Sequence, residues 1–236
     1  LHIVDVTDYG FIDDDDAFLI MEYLEGESLA EAIALKGAMP AARVKAVAVQ
    51  ILDALEAAHE AGIVHRDLKS ANVFLANASG GDLVKLLDFG ISKIFPMSAT
   101  EEGGDGSGND VGSSPTWITD TGIMVGTPHY MAPEQAEESR GVDHRADLYS
   151  LGIILYEMLT GELPFKGNNI WNVLIKHANE EPRPPRKCRT DLEIPRDLER
   201  VVLRALAKDP DDRFASAREM RQSLEAVMES QPADAA

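Results

Sequence analysis

His65-Arg66-Asp67-Leu68-Lys69-Ser70-Ala71-Asn72, followed by Asp88-Phe89-Gly90, is the stretch from which the fold of this 236-residue chain is read. Two short apolar runs separate its parts, Val73 to Leu75 and Leu83 to Leu87. They flank Asn77 to Gly81, whose Ser and Gly residues suit a tight connection between strands, so a β-hairpin joins the two polar segments. Upstream, Val44, Val47, Ala48, Ile51, Leu52, Leu55 and Ala58 recur at three- and four-residue intervals after Pro40. That is the stripe of an amphipathic helix ending near Gly62. His59 falls on its shoulder, with no carboxylate or second histidine at ligand spacing, and is given no chemical role.

Further upstream, residues 2 to 9 and 17 to 23 are strand-like. Gly10 and the run Asp13-Asp14-Asp15-Asp16 between them favour a solvated turn, so these strands form another hairpin. The four aspartates read as a charged loop, because a metal site would need converging ligands from elsewhere. Downstream, Ser98 to Ser114 is rich in Gly, Ser, Asp and Glu and cannot offset its ordering entropy by burial. Residues 147 to 160 are apolar nearly all round, the mark of a helix buried in the core. Further helices are expected over 168 to 178, 195 to 207 and 215 to 229, the last capped by Ser216. Pro182 to Pro185 reads as a rigid connection, and Trp171 and Cys188 as packing or surface positions.

Composition narrows the function classes. With 44% apolar and 27% charged residues the chain can bury a sizeable core. The excess of 41 Asp+Glu over 22 Lys+Arg gives a formal charge of −19, which repels nucleic acid and anionic membranes. One cysteine, Cys188, rules out an intramolecular disulfide and a cysteine metal cluster, and fits a reducing cytoplasm. The longest apolar run, Leu151 to Leu159, is too short to cross a bilayer, and no signal peptide is visible. The chain opens on Leu1-His2-Ile3-Val4, already in a strand pattern, and reads as a piece of something longer.

The segments at 65–72 and 88–90 together resemble the catalytic-loop and metal-binding motifs of the protein kinase family, in the family's order and approximate spacing. The resemblance runs from Leu1 to about Glu229. It includes Gly126-Thr127-Pro128-His129-Tyr130-Met131-Ala132-Pro133-Glu134, similar to the end of a kinase activation segment. It is nearest the bacterial PknB-like serine/threonine kinases, with ATP and magnesium as cofactors and a protein hydroxyl as acceptor. The implied fold is α+β and kinase-like. Residues 1–24 would be a remnant of the N-lobe, namely its last hairpin and the hinge. Residues 25–230 would be the mostly helical C-lobe, with the catalytic loop at 65–72 and the activation segment at 88–134, followed by a tail over 231–236.

The resemblance also assigns roles. Asp67 would accept the proton of the attacking hydroxyl, Lys69 would balance charge on the γ-phosphate, and Asn72 with Asp88 would hold magnesium through hard oxygens. Lysine at position 69 is the serine/threonine-kinase choice. Ser70 and Ala71 replace the family's common proline and glutamate, at positions taken to carry no chemistry. Glu22 and Leu24 would bond adenine through their backbones, with Met21 as gatekeeper and Phe74 and Leu87 as apolar contacts. Glu134 would pair with Arg213, and Asp147 would anchor the catalytic loop from the buried helix.

Arg66 beside Asp67 implies control by phosphorylation. Thr119 and Thr121 are the candidate switch residues, and Thr127 would face Asp67. Protein substrates and a trans-autophosphorylation partner follow from the same resemblance. The family's glycine-rich loop, strand lysine and helix glutamate do not occur in these 236 residues. Residues 1–236 alone are therefore expected to have little or no kinase activity. The alternative is a pseudokinase or scaffold that binds a partner protein without phosphoryl transfer.

Overall fold

The computed structural model of the chain describes residues 1–12, 17–78, 80–89, 128–136 and 142–227. The aspartate run at 13–16, Gly90, the stretch 98–114, the threonines 119, 121 and 127, and the tail 231–236 lie outside the described residues.

The chain opens with an antiparallel pair, β1 (Val6–Phe11) and β2 (Ala17–Met21), in which Tyr9 faces Leu19 and Phe11 faces Ala17. Val6, Tyr9, Phe11 and Ile20 of this pair are exposed. Just before β1, Val4 donates to the Leu86 carbonyl and Leu86 donates to that of His2, so the N-terminal segment lies alongside the second sheet. That sheet has the order β3 (Gly26–Ser28), β4 (Val73–Ala78), β5 (Gly81–Leu86), all antiparallel. The β4–β5 hairpin is the one expected from the spacing of the apolar runs.

Gly26 has no substitute at its place in β3. A Cβ built there would stand 2.1 Å from the Leu75 carbonyl oxygen on β4, and a backbone atom of a paired strand cannot yield. Gly26→Ala is expected to cost about 1–3 kcal/mol, as overpacking does elsewhere, read as a lower urea midpoint at unchanged slope. An unchanged midpoint would mean that β3 can move away from β4.

Eight helices follow in chain order among the described residues: α1 (Leu29–Lys36), α2 (Ala41–Glu60), α3 (Pro133–Ala136), α4 (Arg145–Thr160), α5 (Ile170–Asn179), α6 (Pro185–Cys188), α7 (Arg196–Ala205) and α8 (Ala217–Glu225). The sequence reading leaves α1 unassigned. It forms because Ser28 and Glu31 make a reciprocal capping box, the Ser28 side chain accepting from the Glu31 N–H while the Glu31 carboxylate accepts from the Ser28 N–H. In α2 every residue of the predicted stripe is buried.

Helix α4 is the centre of the core. Of its sixteen residues only Arg145 and Glu157 are not buried. Gly152 lets α7 come close, since a Cβ there would lie 2.9 Å from the Ala205 Cβ. Helix α8 starts at the Ser216 cap, whose hydroxyl accepts from the Glu219 N–H at 3.1 Å. It is tied to α2 by Arg221, which pairs with Asp53 and Glu56, and by Arg218, which pairs with Glu56 and Glu60. The effect of this packing is a rigid helical base under the loop that runs from α2 to β4.

Candidate active site

The loop between α2 and β4 is held from below by one buried carboxylate. Asp147 lies in the first turn of α4 with no solvent exposure. Its Oδ2 accepts from the His65 N–H at 2.9 Å and from His59 Nε2 at 2.8 Å, and its Oδ1 accepts from the Arg66 N–H at 2.8 Å. Three donors and the positive end of a helix make an ionised group tolerable there, where an unpaired one would be expelled or neutralised. The reading of His59 as a residue with no carboxylate near it does not hold. Its partner lies 88 positions away in sequence, beyond any local spacing rule.

Fixing two successive amides forces the backbone. Arg66 takes φ +64°, the left-handed region that non-glycine residues enter only when their surroundings compel it. The next side chains are thereby set. Lys69 Nζ stands 2.6 Å from Asp67 Oδ2, and Asn72 Nδ2 donates to the Asp67 carbonyl at 3.0 Å. Asn72 is buried, whereas the Asp67 side chain is 45% exposed, so the carboxylate is open to an incoming group from one side.

The loop is also locked to the end of β5. Leu87 donates its N–H to the Asn72 carbonyl at 2.9 Å, and His65 Nε2 donates to the Leu87 carbonyl at 3.0 Å. The His65 ring packs on Phe89 with centroids 4.6 Å apart. Asp88, between these two contacts, takes φ +57° and is exposed. Among the described residues its carboxylate has no hydrogen bond or ion pair, and neither has the Asn72 Oδ1. These two hard oxygens, without a partner among the described residues and at the two ends of one hairpin, are of the type that could hold a divalent cation whose remaining ligands come from phosphate and water. No group of three His, Cys, Asp or Glu side chains among the described residues could hold a metal unaided.

Glu22 and Leu24 lie on the segment joining β2 to β3. The Glu22 N–H donates to the Asp5 carbonyl at 3.0 Å, but among the described residues the Glu22 carbonyl and the Leu24 N–H have no backbone partner. The Glu22 side chain turns away to the buried Lys85, 2.6 Å from its Nζ, and also accepts from the Asp5 N–H. The Lys85 hydrogen bond, aided by that of Asp5, holds the Glu22 carboxyl below its usual range. This fastens the segment to β5. Leu24, Phe74 and Leu87 are half-buried and Met21 is 40% exposed.

The segment 128–136 meets the loop from the other side. Glu134 and Arg213 form a two-point ion pair at 2.6 and 2.8 Å. Gln135 Nε2 donates to the Arg66 carbonyl at 3.0 Å, and Ser70 Oγ lies 2.8 Å from Tyr130 Oη. Sequence alone singles out neither Gln135 nor Tyr130, since each reads as an ordinary member of a loop. The Arg66 guanidinium is exposed and has no partner among the described residues.

A family model for the protein kinase domain matches residues 2–224, and the chain belongs to that family. Its curated relatives include the serine/threonine-protein kinase pkn3 of Myxococcus xanthus, 41% identical over 95% of this chain and 38% of the relative. They also include serine/threonine-protein kinase PknB of Mycobacterium tuberculosis, 38% identical over 92% of this chain and 31% of the relative. The chain thus spans well under half the length of these proteins. Among solved structures, the PknI kinase domain of Mycobacterium tuberculosis is 27% identical with a TM-score of 0.65, over 96% of this chain and 72% of that one. Rad53 in complex with AMP-PNP has a TM-score of 0.72 at 24% identity over 94% of this chain and 50% of that one, a likeness of fold alone. The family implies ATP and a divalent metal cation, and no helix among the described residues is long and apolar enough to cross a membrane.

Proposed function

We propose that this chain is the catalytic portion of a kinase that transfers the γ-phosphoryl group of ATP to serine or threonine hydroxyls of protein substrates. The observation that carries the reading is the open Asp67 carboxylate, flanked by Lys69 and Asn72 on a loop whose backbone is fixed by Asp147. Residues 1–24 then act as the N-lobe hairpin and hinge, and residues 25–230 as the C-lobe. The adenine would sit on the Glu22 carbonyl and Leu24 N–H, beside Met21, Phe74 and Leu87.

Chemically, phosphoryl transfer needs positioning and charge neutralisation more than covalent help. Asp67 is positioned to take the proton of the acceptor hydroxyl, and Lys69, already beside it, offers its ammonium to the transferred group. Asn72 and Asp88 would hold Mg²⁺, which when bound neutralises charge on the phosphate oxygens. Arg66 would receive the phosphate of Thr119 or Thr121, giving control by autophosphorylation in trans, with Thr127 facing the site. A cytoplasmic location for the domain agrees with its single cysteine.

The test uses the natural full-length protein, ATP labelled at the γ-phosphate and casein as acceptor, with phosphoamino-acid analysis of the product. Label on serine or threonine is expected. Nucleotide binding without transfer to casein or to itself would favour the scaffold reading. Calorimetry adds a second expected result: Asp88→Ala lowers ATP affinity in the presence of Mg²⁺ by at least about tenfold and leaves Mg²⁺-free binding unchanged. Equal losses with and without Mg²⁺ would remove Asp88 from the metal site.

A further inference from the structure

Ser70 stands where the family commonly has proline, and the sequence reading gives it no role. In the structure it is 2% exposed and opens the short 3-10 turn Ser70–Asn72, so Lys69 and Asn72 are its near neighbours on the catalytic loop. Its Oγ lies 2.8 Å from Tyr130 Oη, and Tyr130 Oη donates to Glu157 Oε2 at 2.8 Å. A phenol has one hydrogen. With that hydrogen on the carboxylate, the single Ser70 hydroxyl hydrogen goes to Tyr130 Oη or to Glu157, and in either case Ser70, Tyr130 and Glu157 form one buried hydrogen-bonded cluster. Glu157 is half-buried, and that partial loss of water pushes its carboxyl up, while the Tyr130 and Ser70 hydroxyls pull it back toward the ionised form.

Tyr130 is itself fixed at both ends by α4, because Ser150 Oγ donates to its carbonyl at 2.8 Å while Glu157 takes its hydroxyl. The segment 128–136 therefore touches the catalytic loop at two places that bracket Asp67 and Lys69: Gln135 on the Arg66 carbonyl and Tyr130 on Ser70. A proline at position 70 could make only the first.

We propose that Ser70 is a positioning residue: its hydroxyl ties the turn carrying Lys69 and Asn72 to Tyr130 and thus sets the transfer loop in register with the segment that faces the protein acceptor. The inference rests on the kinase reading above. It needs no contact between Ser70 and ATP, so its loss separates the steps. Because Asn72 keeps its own bonds to the Asp67 carbonyl and the Leu87 N–H, the effect is expected in turnover of the protein acceptor and not in nucleotide binding.

The experiment compares Ser70→Ala, Ser70→Thr, Tyr130→Phe and the Ala/Phe double variant in the full-length protein, with casein as acceptor. Ser70→Ala is expected to lower kcat about 3- to 10-fold, the range for one lost neutral hydrogen bond, with KM for ATP within about twofold of the parent. Ser70→Thr, which keeps the donor, is expected to restore it. In the Tyr130→Phe background, Ser70→Ala is expected to add no further loss. Amide hydrogen exchange over residues 68–73, which reads the tie without any turnover, is expected to quicken in Ser70→Ala and to recover in Ser70→Thr. Multiplying losses in the double variant, a Thr variant no better than Ala, or a parallel rise of KM for ATP would each overturn the proposal. If the parent transfers no phosphate, the kinase reading fails by itself and the exchange data alone decide the tie: additive exchange effects of the two substitutions sink it, and non-additive ones uphold it.

Discussion

Asp67→Asn in the full-length protein is expected to lower phosphoryl transfer to casein by about 10²- to 10⁴-fold, the span usual for loss of a positioned general base. The substitution is nearly isosteric and the side chain is 45% exposed, so thermal unfolding should not shift appreciably. ATP binding should also persist, because the groups proposed to hold it, the backbone of Glu22 and Leu24 and the oxygens of Asn72 and Asp88, remain. The pairing of Lys69 with Asp67 at 2.6 Å makes the result diagnostic. If Asp67 served only to hold Lys69, the amide oxygen introduced by the substitution could still accept a hydrogen bond from the ammonium, and most of the rate would survive. A rate within about tenfold of the parent would therefore remove Asp67 from the role of base and leave it a structural partner of the lysine.

The parts of the fold that are legible in the sequence are those whose signal is local. The stripe from Val44 to Ala58 predicts α2 because burial on one face repeats with the helix turn, and the unbroken apolarity around 147–160 predicts α4 because a central helix has no solvent face. Helix α1 carries a local signal too, although the sequence reading passes over it: Ser28 and Glu31 stand at the capping-box spacing across the start of a segment whose Leu29, Ala32 and Ile33 are buried. The site is another matter. The residue types of the loop at 65–72 are plain in the sequence, but its geometry depends on partners far along the chain. The His59–Asp147 bond spans 88 positions, the Gln135–Arg66 bond 69 and the Ser70–Tyr130 bond 60. No helical or strand period relates residues so distant. A lone polar side chain on a helix shoulder or in a loop looks solvated until its partner is known. The positive φ values at Arg66 and Asp88 are equally hidden, because neither residue is glycine and only the Asp147 and Leu87 contacts explain why the backbone turns there.

The same long-range logic sets the largest expected effect on stability. Arg213→Met is expected to destabilise the protein by about 3–5 kcal/mol, the cost of removing one partner from a buried ion pair. The Arg213 side chain has no solvent exposure, and all three of its nitrogens are engaged. Nη1 and Nη2 reach Glu134, Nη2 also reaches the Lys208 carbonyl at 2.9 Å, and Nε reaches the Ala207 carbonyl at 2.8 Å. Its guanidinium also lies over the Tyr149 ring at 4.8 Å. One side chain thus joins α3, the end of α7 and the core of α4. Arg213→Lys should recover little, since a point charge cannot span two carboxylate oxygens and two carbonyls at once. Pairing Arg213→Met with Glu134→Leu, which removes both charges, should recover most of the loss, because the penalty lies in leaving the Glu134 carboxylate without its guanidinium more than in the bond itself. Urea unfolding of the three variants measures this directly. A double variant as unstable as Arg213→Met would show that the carbonyl bonds and the Tyr149 contact, rather than the charge pair, hold the segment 128–136 against the catalytic loop.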